Sequence, residues 1–153
     1  MTREDVDRMT RKVFDYLVIK FDLSRWYLHL ELNSCQCNNH RAQVTIDVNQ
    51  EEAWINVEWS DLVDVRDLCR CVRHELIHLL AAPFEVPWNQ LKHSLGEDER
   101  KKAILGIWKY ADERHVRMIE RVLENTPNLS LDALEKVALA DIPRETLDTI
   151  NKG

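Results

Sequence analysis

From Arg3 to Lys20 the apolar residues Val6, Met9, Val13, Phe14, Leu17 and Val18 recur with a period near 3.6, and charges fill the opposite face. That spacing predicts an amphipathic first helix. The period then falls to two. Trp26, Leu28, Leu30 and Leu32 alternate with other residues, as do the apolar positions of 42–48 and 53–59, and the Val, Ile, Thr and Trp content suits half-buried strands. Polar segments at 33–39 and 49–52 separate the three runs, and such short connections predict an antiparallel meander.

A helical period returns after Ser60, the expected N-cap, with the helix starting between Asp61 and Asp67 and stopped by Pro83 and Pro87. Residues 86–96 read as a loop. A long helix follows from Glu97 or Asp98 to Leu123, and one or two short helices occupy 129–150, with Ser130 as a cap and Pro143 as a break. The expected class is α+β, with a domain over 1–125 and a helical C-terminal extension over 126–153.

The central helix divides into three faces on a helical wheel with His74 at zero. Leu68, Leu79, Val72, Val65, Leu76, Cys69 and Leu80 fall at roughly 120° to 240°, a stripe to pack on the sheet. Arg73, Arg66 and Arg70 fall at roughly 260° to 320° and read as a solvated basic edge. His74, His78, Cys71 and Glu75 have the remaining arc to themselves.

That arc contains His74-Glu75-Leu76-Ile77-His78, the pattern H-E-x-x-H. Imidazoles at i and i+4 lie one turn apart on one face and can reach a single tetrahedral Zn²⁺, while the intervening glutamate can touch water on that metal. The same string on a helix that binds nothing would simply be a polar surface. Here the helix is strongly apolar elsewhere, and the polar face lacks the Lys, Glu and Gln that a solvent face usually carries. Cys71, one turn before His74, is expected to line the cleft, since a fourth thiolate would close the open position that catalysis needs.

Composition narrows the remaining choices. A length of 153 residues suits one domain with a hydrophobic core of its own. The 21 Lys and Arg against 27 Asp and Glu, a formal charge of -6, make a nucleic-acid partner unlikely on charge grounds. A charged N-terminus without an apolar stretch, and no segment of membrane-spanning length, lead to the expectation of a cytoplasmic protein with no membrane partner. Four cysteines form two C-x-C pairs, Cys35/Cys37 and Cys69/Cys71. Residues two apart on a helix point roughly 200° apart, so Cys69 and Cys71 read as separate, reduced thiols rather than half of a four-thiolate site.

Two histidines hold zinc weakly, and a third ligand must come from elsewhere. The pattern H-E-x-x-H-x-x-G-x-x-H would need Gly at 81 and His at 84, where the chain has Ala81 and Phe84. The remaining candidates are His93 in the loop and Asp112, Glu113, His115 and Glu120 in the last long helix. On that helix Leu105, Trp108, Ala111, Val116, Ile119, Val122 and Leu123 define an apolar side, which puts His115 and Asp112 near its middle and Glu113 beyond its edge. By the wheel, His115 or Asp112 is favoured.

The chain also resembles a family of small gluzincin-like metallopeptidases of bacteriophages and bacteria, through Trp26 opening the first strand, Arg41 to Ile46 as the second, Val72 to Leu80 as the motif and Asp112 to Glu120 on the last helix. The likeness implies a minimal zincin-like domain whose final helix reads roughly E-x-x-V-x-x-L. It maps Glu113 to the third metal ligand, Val116 to the first apolar position and Ile119 to the second. Residues beyond Thr126 lie outside it.

The expected function is therefore a zinc-dependent peptidase: His74, His78 and Glu113 hold Zn²⁺, and Glu75 takes a proton from water on the metal as it attacks a peptide carbonyl. The third strand is expected beside the cleft, and Tyr110, His93 and His115 are candidates to steady the oxyanion. The alternative is a zincin-fold binding or regulatory module that cleaves nothing. So small a chain leaves little room for a specificity domain, so besides its peptide or protein substrate a protein partner that directs the activity is a further expectation.

Overall fold

The structure, a computed structural model, describes residues 2–33, 41–82 and 99–140. Four α-helices and a three-stranded sheet are found among them: α1 (Arg3–Lys20), β1 (Tyr27–Asn33), β2 (Ala42–Asp47), β3 (Glu52–Glu58), α2 (Val65–Ala81), α3 (Glu99–Glu124) and α4 (Leu131–Leu139). The class is α+β. The expected loop at 86–96, the Cys35/Cys37 pair, His93 and the segment around Pro143 lie outside the described residues.

The sheet is mixed, which corrects the antiparallel meander. Its order is β1-β3-β2, with β3 antiparallel to β2 and parallel to β1. Burial gives the reason. β3 carries Ala53, Ile55 and Val57, all fully buried, and a strand that apolar is best covered when flanked on both sides. β1 and β2 show exposed positions along their length and take the edges. The parallel pairing of β1 with β3 needs a long crossover, which the chain supplies with the stretch that contains β2.

The sheet turns one face to the helices. Leu28, Leu30, Leu32, Ala42, Val44 and Ile46 pack against the core from the edge strands. On the other face His29 stacks on its cross-strand neighbour Trp54, with ring centroids 5.3 Å apart. Met9, Val13 and Leu17 of α1 and Leu68, Val72, Leu76 and Leu79 of α2 fill the core behind β3. These are the positions that the 3.6 period selects on each helix.

α2 begins at an N-cap different from the expected one. Asp64 caps it, its carboxylate accepting from the Asp67 N–H at 2.7 Å, while the Ser60 hydroxyl donates to Glu58 inside a short 3₁₀ turn, Trp59–Asp61. The turn uses up the residues nearest Ser60, so the α-helix starts one cap later. Asp67 then accepts from Arg41 at 2.8 and 2.7 Å, tying the chain entering β2 to the first turn of α2.

The basic edge of α2 is also corrected. Arg73 is only 3% exposed and donates to Glu124 and to the Leu129 carbonyl, at 3.0 and 2.9 Å. Arg66 donates to Asp132 and Glu135 of α4 at 2.7 and 2.8 Å. Arg70 alone of the three is mostly exposed, near Asp67. Arg66 and Arg73 face acidic groups brought by the chain beyond residue 123, which a wheel of α2 by itself cannot contain.

α4 belongs to the same core as the other helices. Ser130 caps it as expected, and Leu131, Leu134 and Ala138 are buried between α1 and α2. No helix among the described residues is long and apolar enough to cross a membrane.

Candidate metal centre

His74 and His78 stand one turn apart in the C-terminal half of α2, and Glu113 faces them from α3. His74 Nε2 and His78 Nε2 are 3.3 Å apart, His74 Nε2 and Glu113 Oε2 are 3.7 Å apart, and His78 Nε2 and Glu113 Oε1 are 3.8 Å apart. A tetrahedral zinc with bonds of about 2.0–2.1 Å places neighbouring ligand atoms roughly 3.3–3.4 Å apart. The two nitrogens are spaced as neighbouring ligands of that tetrahedron, the Glu113 carboxylate turns one oxygen towards each ring from slightly farther away, and two imidazoles with one carboxylate suit Zn²⁺ by type as well.

The second nitrogen of each ring is held by a carboxylate. His78 Nδ1 lies 3.0 Å from Asp112 Oδ2, and His74 Nδ1 lies 3.3 Å from Glu120 Oε1. Such pairs set the tautomer: a proton on Nδ1, shared with a carboxylate, leaves the Nε2 lone pair free to face a metal. Asp112 and Glu120, both weighed as third ligands on the sequence, thus stand behind the rings. Only Glu113 joins both Nε2 atoms, and among the described residues His74, His78 and Glu113 are the one His, Cys, Asp and Glu group whose ligand atoms all lie within 4.8 Å of one another.

His115, which the wheel favoured, is exposed. The wheel was drawn on the apolar residues of α3, but of these Val122 is 67% exposed, and α3 turns Asp112, Glu113 and Glu120 towards α2 beside the buried Val116. Polar contact with two histidines replaces apolar burial on that side, and a hydrophobic wheel is blind to it.

Electrostatics follow from the arrangement. The Glu120 hydrogen bond leads in raising the His74 imidazole above its ordinary value, against the pull of burial. At His78 burial is the largest influence and pulls the value down, but Asp112, Glu75 and Glu113 together outweigh it, and the net direction is up. Burial pushes the Glu120 carboxyl up, and the contacts with His74 and the nearby arginines bring it below its ordinary value. For Glu75 burial dominates and raises it, while the two imidazoles and the Val44 N–H pull the other way. Burial also lifts the Cys71 thiol to about 12, so this half-buried residue stays a neutral thiol.

A cleft opens over the centre, lined by Ala42, Val44 and Ile46 of β2, by Glu75, and by Lys109 and Arg117 of α3 beside the three converging side chains. The strand beside the cleft is β2, which corrects the expectation of the third strand. Among the described residues β3 is flanked on both edges, whereas β2 is paired on one edge only. The Arg41 carbonyl accepts from the Glu58 N–H of the β3 side at 2.8 Å. Backbone groups alternate in direction along an antiparallel strand, so those of Ala42, Val44 and Ile46 turn to the other edge.

Of the residues considered for the oxyanion, Tyr110 is 69% exposed and outside this lining, and His115 is likewise outside it. Lys109 and Arg117 are the cleft cations that a reading of the motif alone does not find. Their spacing offers a signal: each is four residues from Glu113, one on either side, and so shares its face.

The chain matches no family model, no curated protein and no solved structure.

Proposed function

We propose that the protein is a zinc-dependent peptidase of gluzincin-like type, with His74, His78 and Glu113 as the protein ligands. The convergence of two Nε2 atoms 3.3 Å apart with the Glu113 carboxylate, one oxygen 3.7 Å from His74 and the other 3.8 Å from His78, carries the reading. Zn²⁺ held there would supply Lewis acidity, which makes water a nucleophile near neutral pH and polarises a carbonyl.

The chain's own residues account for the rest. Glu75 is next to His74, lines the cleft and is buried, with a carboxyl raised towards the range where it can take a proton and return it. It serves as base towards the attacking water and as acid towards the leaving amine. Asp112 and Glu120 keep both imidazoles in the orientation that ligation needs. The outer edge of β2 turns backbone donors and acceptors of Ala42 and Ile46 towards the cleft side, the Val44 N–H being taken by Glu75, and these suit an extended peptide laid along the cleft. Lys109 and Arg117 provide positive charge where negative charge develops on the carbonyl oxygen.

Metal analysis of the purified protein with and without His74→Ala tests the centre: about one zinc per chain is expected in the parent and a large loss in the variant. Hydrolysis of an unstructured protein should vanish in Glu75→Gln while zinc stays bound. Retention of every activity of the protein in that variant would instead favour a module that binds without cleaving.

A further inference from the structure

The cleft does not end at the metal centre. Lys109, Glu113 and Arg117 also line a second hollow on the outer face of α3, which continues past Gly106 and Tyr110 to Arg114 and Arg121. On a helical wheel centred on Glu113 these residues occupy an arc from roughly -40° to +100°. Among the described residues four cations, Lys109, Arg114, Arg117 and Arg121, line this hollow with one carboxylate, Glu113, on a chain whose net charge is -6. Among the described residues none of the four is in an ion pair with a carboxylate.

Gly106 adds an observation of a different kind. It sits inside a 26-residue helix, where glycine weakens the helix relative to alanine, yet a Cβ built on it meets nothing within 4 Å. Among the described residues no packing requires the glycine. Its effect is to leave the ridge of α3 bare along the hollow, where the backbone of a second chain can approach closely.

We infer that this trough binds an acidic segment of the substrate, with Asp or Glu side chains seated against Lys109, Arg117, Arg114 and Arg121 while a neighbouring peptide bond reaches the metal centre. The inference rests on the peptidase reading and gives it a substrate class. Along the helix Lys109 and Arg117 lie about 6 Å from Glu113 and Arg121 about 12 Å. At roughly 3.3 Å per extended residue, the acidic side chains belong about two to four positions from the bond that is cut. A strand of nucleic acid would also meet these cations, but continuity with a centre built for peptide hydrolysis and the acidic character of the whole chain favour a peptide.

The test is binding to the zinc-loaded full-length Glu75→Gln chain, so that turnover does not enter. Fluorescence anisotropy compares a labelled dodecapeptide bearing a block of Asp and Glu, the same peptide with Asn and Gln, and a labelled oligothymidylate. The acidic peptide should bind about tenfold more tightly than the neutral one at low salt, and Arg114→Glu/Arg121→Glu should remove that preference and transfer it to a Lys-bearing peptide. Gly106→Leu, which fills the trough with a good helix former, should melt at a higher temperature and bind the acidic peptide several-fold more weakly. Equal binding of the acidic and neutral peptides, tighter binding of the oligothymidylate, or a preference untouched by the charge reversal overturns the inference. Absence of hydrolysis by the parent chain, with acidic-peptide binding intact, overturns the peptidase reading and leaves the docking site standing.

Discussion

His78 Nδ1 and Asp112 Oδ2 lie 3.0 Å apart, and this contact between α2 and α3 decides which nitrogen of His78 faces the centre. Asp112→Ala removes the partner that fixes the ring, so zinc affinity should fall about 10- to 100-fold, the usual effect of losing such a carboxylate. Glu120→Ala, acting on His74 across a longer 3.3 Å contact, should fall in the same direction by less. Competition with a fluorescent chelator measures both. Unchanged affinity in Asp112→Ala would show that the carboxylate has no part in holding the ring.

Zinc binding should depend on pH through the same two rings. Both imidazoles are raised above the ordinary value of 6.5, and only the neutral form ligates. Affinity should therefore climb steeply with pH up to the raised range and flatten above it, with protons released on binding at the lower pH. The metal-free protein should show the opposite trend from these groups: their contribution to stability is fully present below about 6.5 and is lost as pH rises through the raised values. Calorimetry in buffers of different ionisation enthalpy counts the protons, and thermal melts of chelator-treated protein give the second trend.

Glu75 costs the fold stability at neutral pH. Its carboxyl is raised chiefly by burial, so the charged form is disfavoured in the folded chain, and the penalty grows as pH rises from the ordinary value of 4.5 through the raised one. Glu75→Gln should melt higher than the parent at pH 7 and nearly level with it below about pH 4.5, while peptide hydrolysis is abolished. A variant less stable than the parent at pH 7 would show that the ionised carboxylate is well compensated where it sits.

Leu134 is fully buried between α1 and α2, so residues 131–139 stabilise the domain that carries the motif. Leu134→Ala should cost about 2–5 kcal/mol through lost burial and the cavity left behind. Arg73→Ala removes a buried guanidinium from Glu124 and from the Leu129 carbonyl. Because Glu124 can regain water, the cost should be smaller, about 1–3 kcal/mol. Urea denaturation resolves both, and a loss below about 0.5 kcal/mol in Leu134→Ala would show that α4 adds little to the core.

Much of the layout was legible because it is local. The 3.6 period of Val6, Met9, Val13 and Leu17 and the alternation of Ala53, Ile55 and Val57 are set by the geometry of single elements. Strand order was not legible, since the alternation in β1, β2 and β3 says which face is buried and nothing about which strand lies between the others. Asp64 outcompeted Ser60 as the cap because an intervening turn had claimed the earlier residues, a matter of tight local packing. Arg66 and Arg73 looked solvated because their acidic partners lie more than fifty residues further along the chain.

The candidate site divides in the same way. The sequence by itself determined that His74 and His78 share one face of a helix, with Glu75 beside them, because 3.6 residues per turn leave no other arrangement. The wheel favoured other residues and the resemblance pointed to Glu113, which the tertiary structure brings to both rings, and only the tertiary structure decided that Asp112 and Glu120 stand behind the rings and that β2 and the cations of α3 line the cleft. Those outcomes depend on how α3 is rotated about its own axis where it meets α2. That rotation is set by pairing carboxylates with imidazoles across the interface, an energy that exists only once the two helices are in contact.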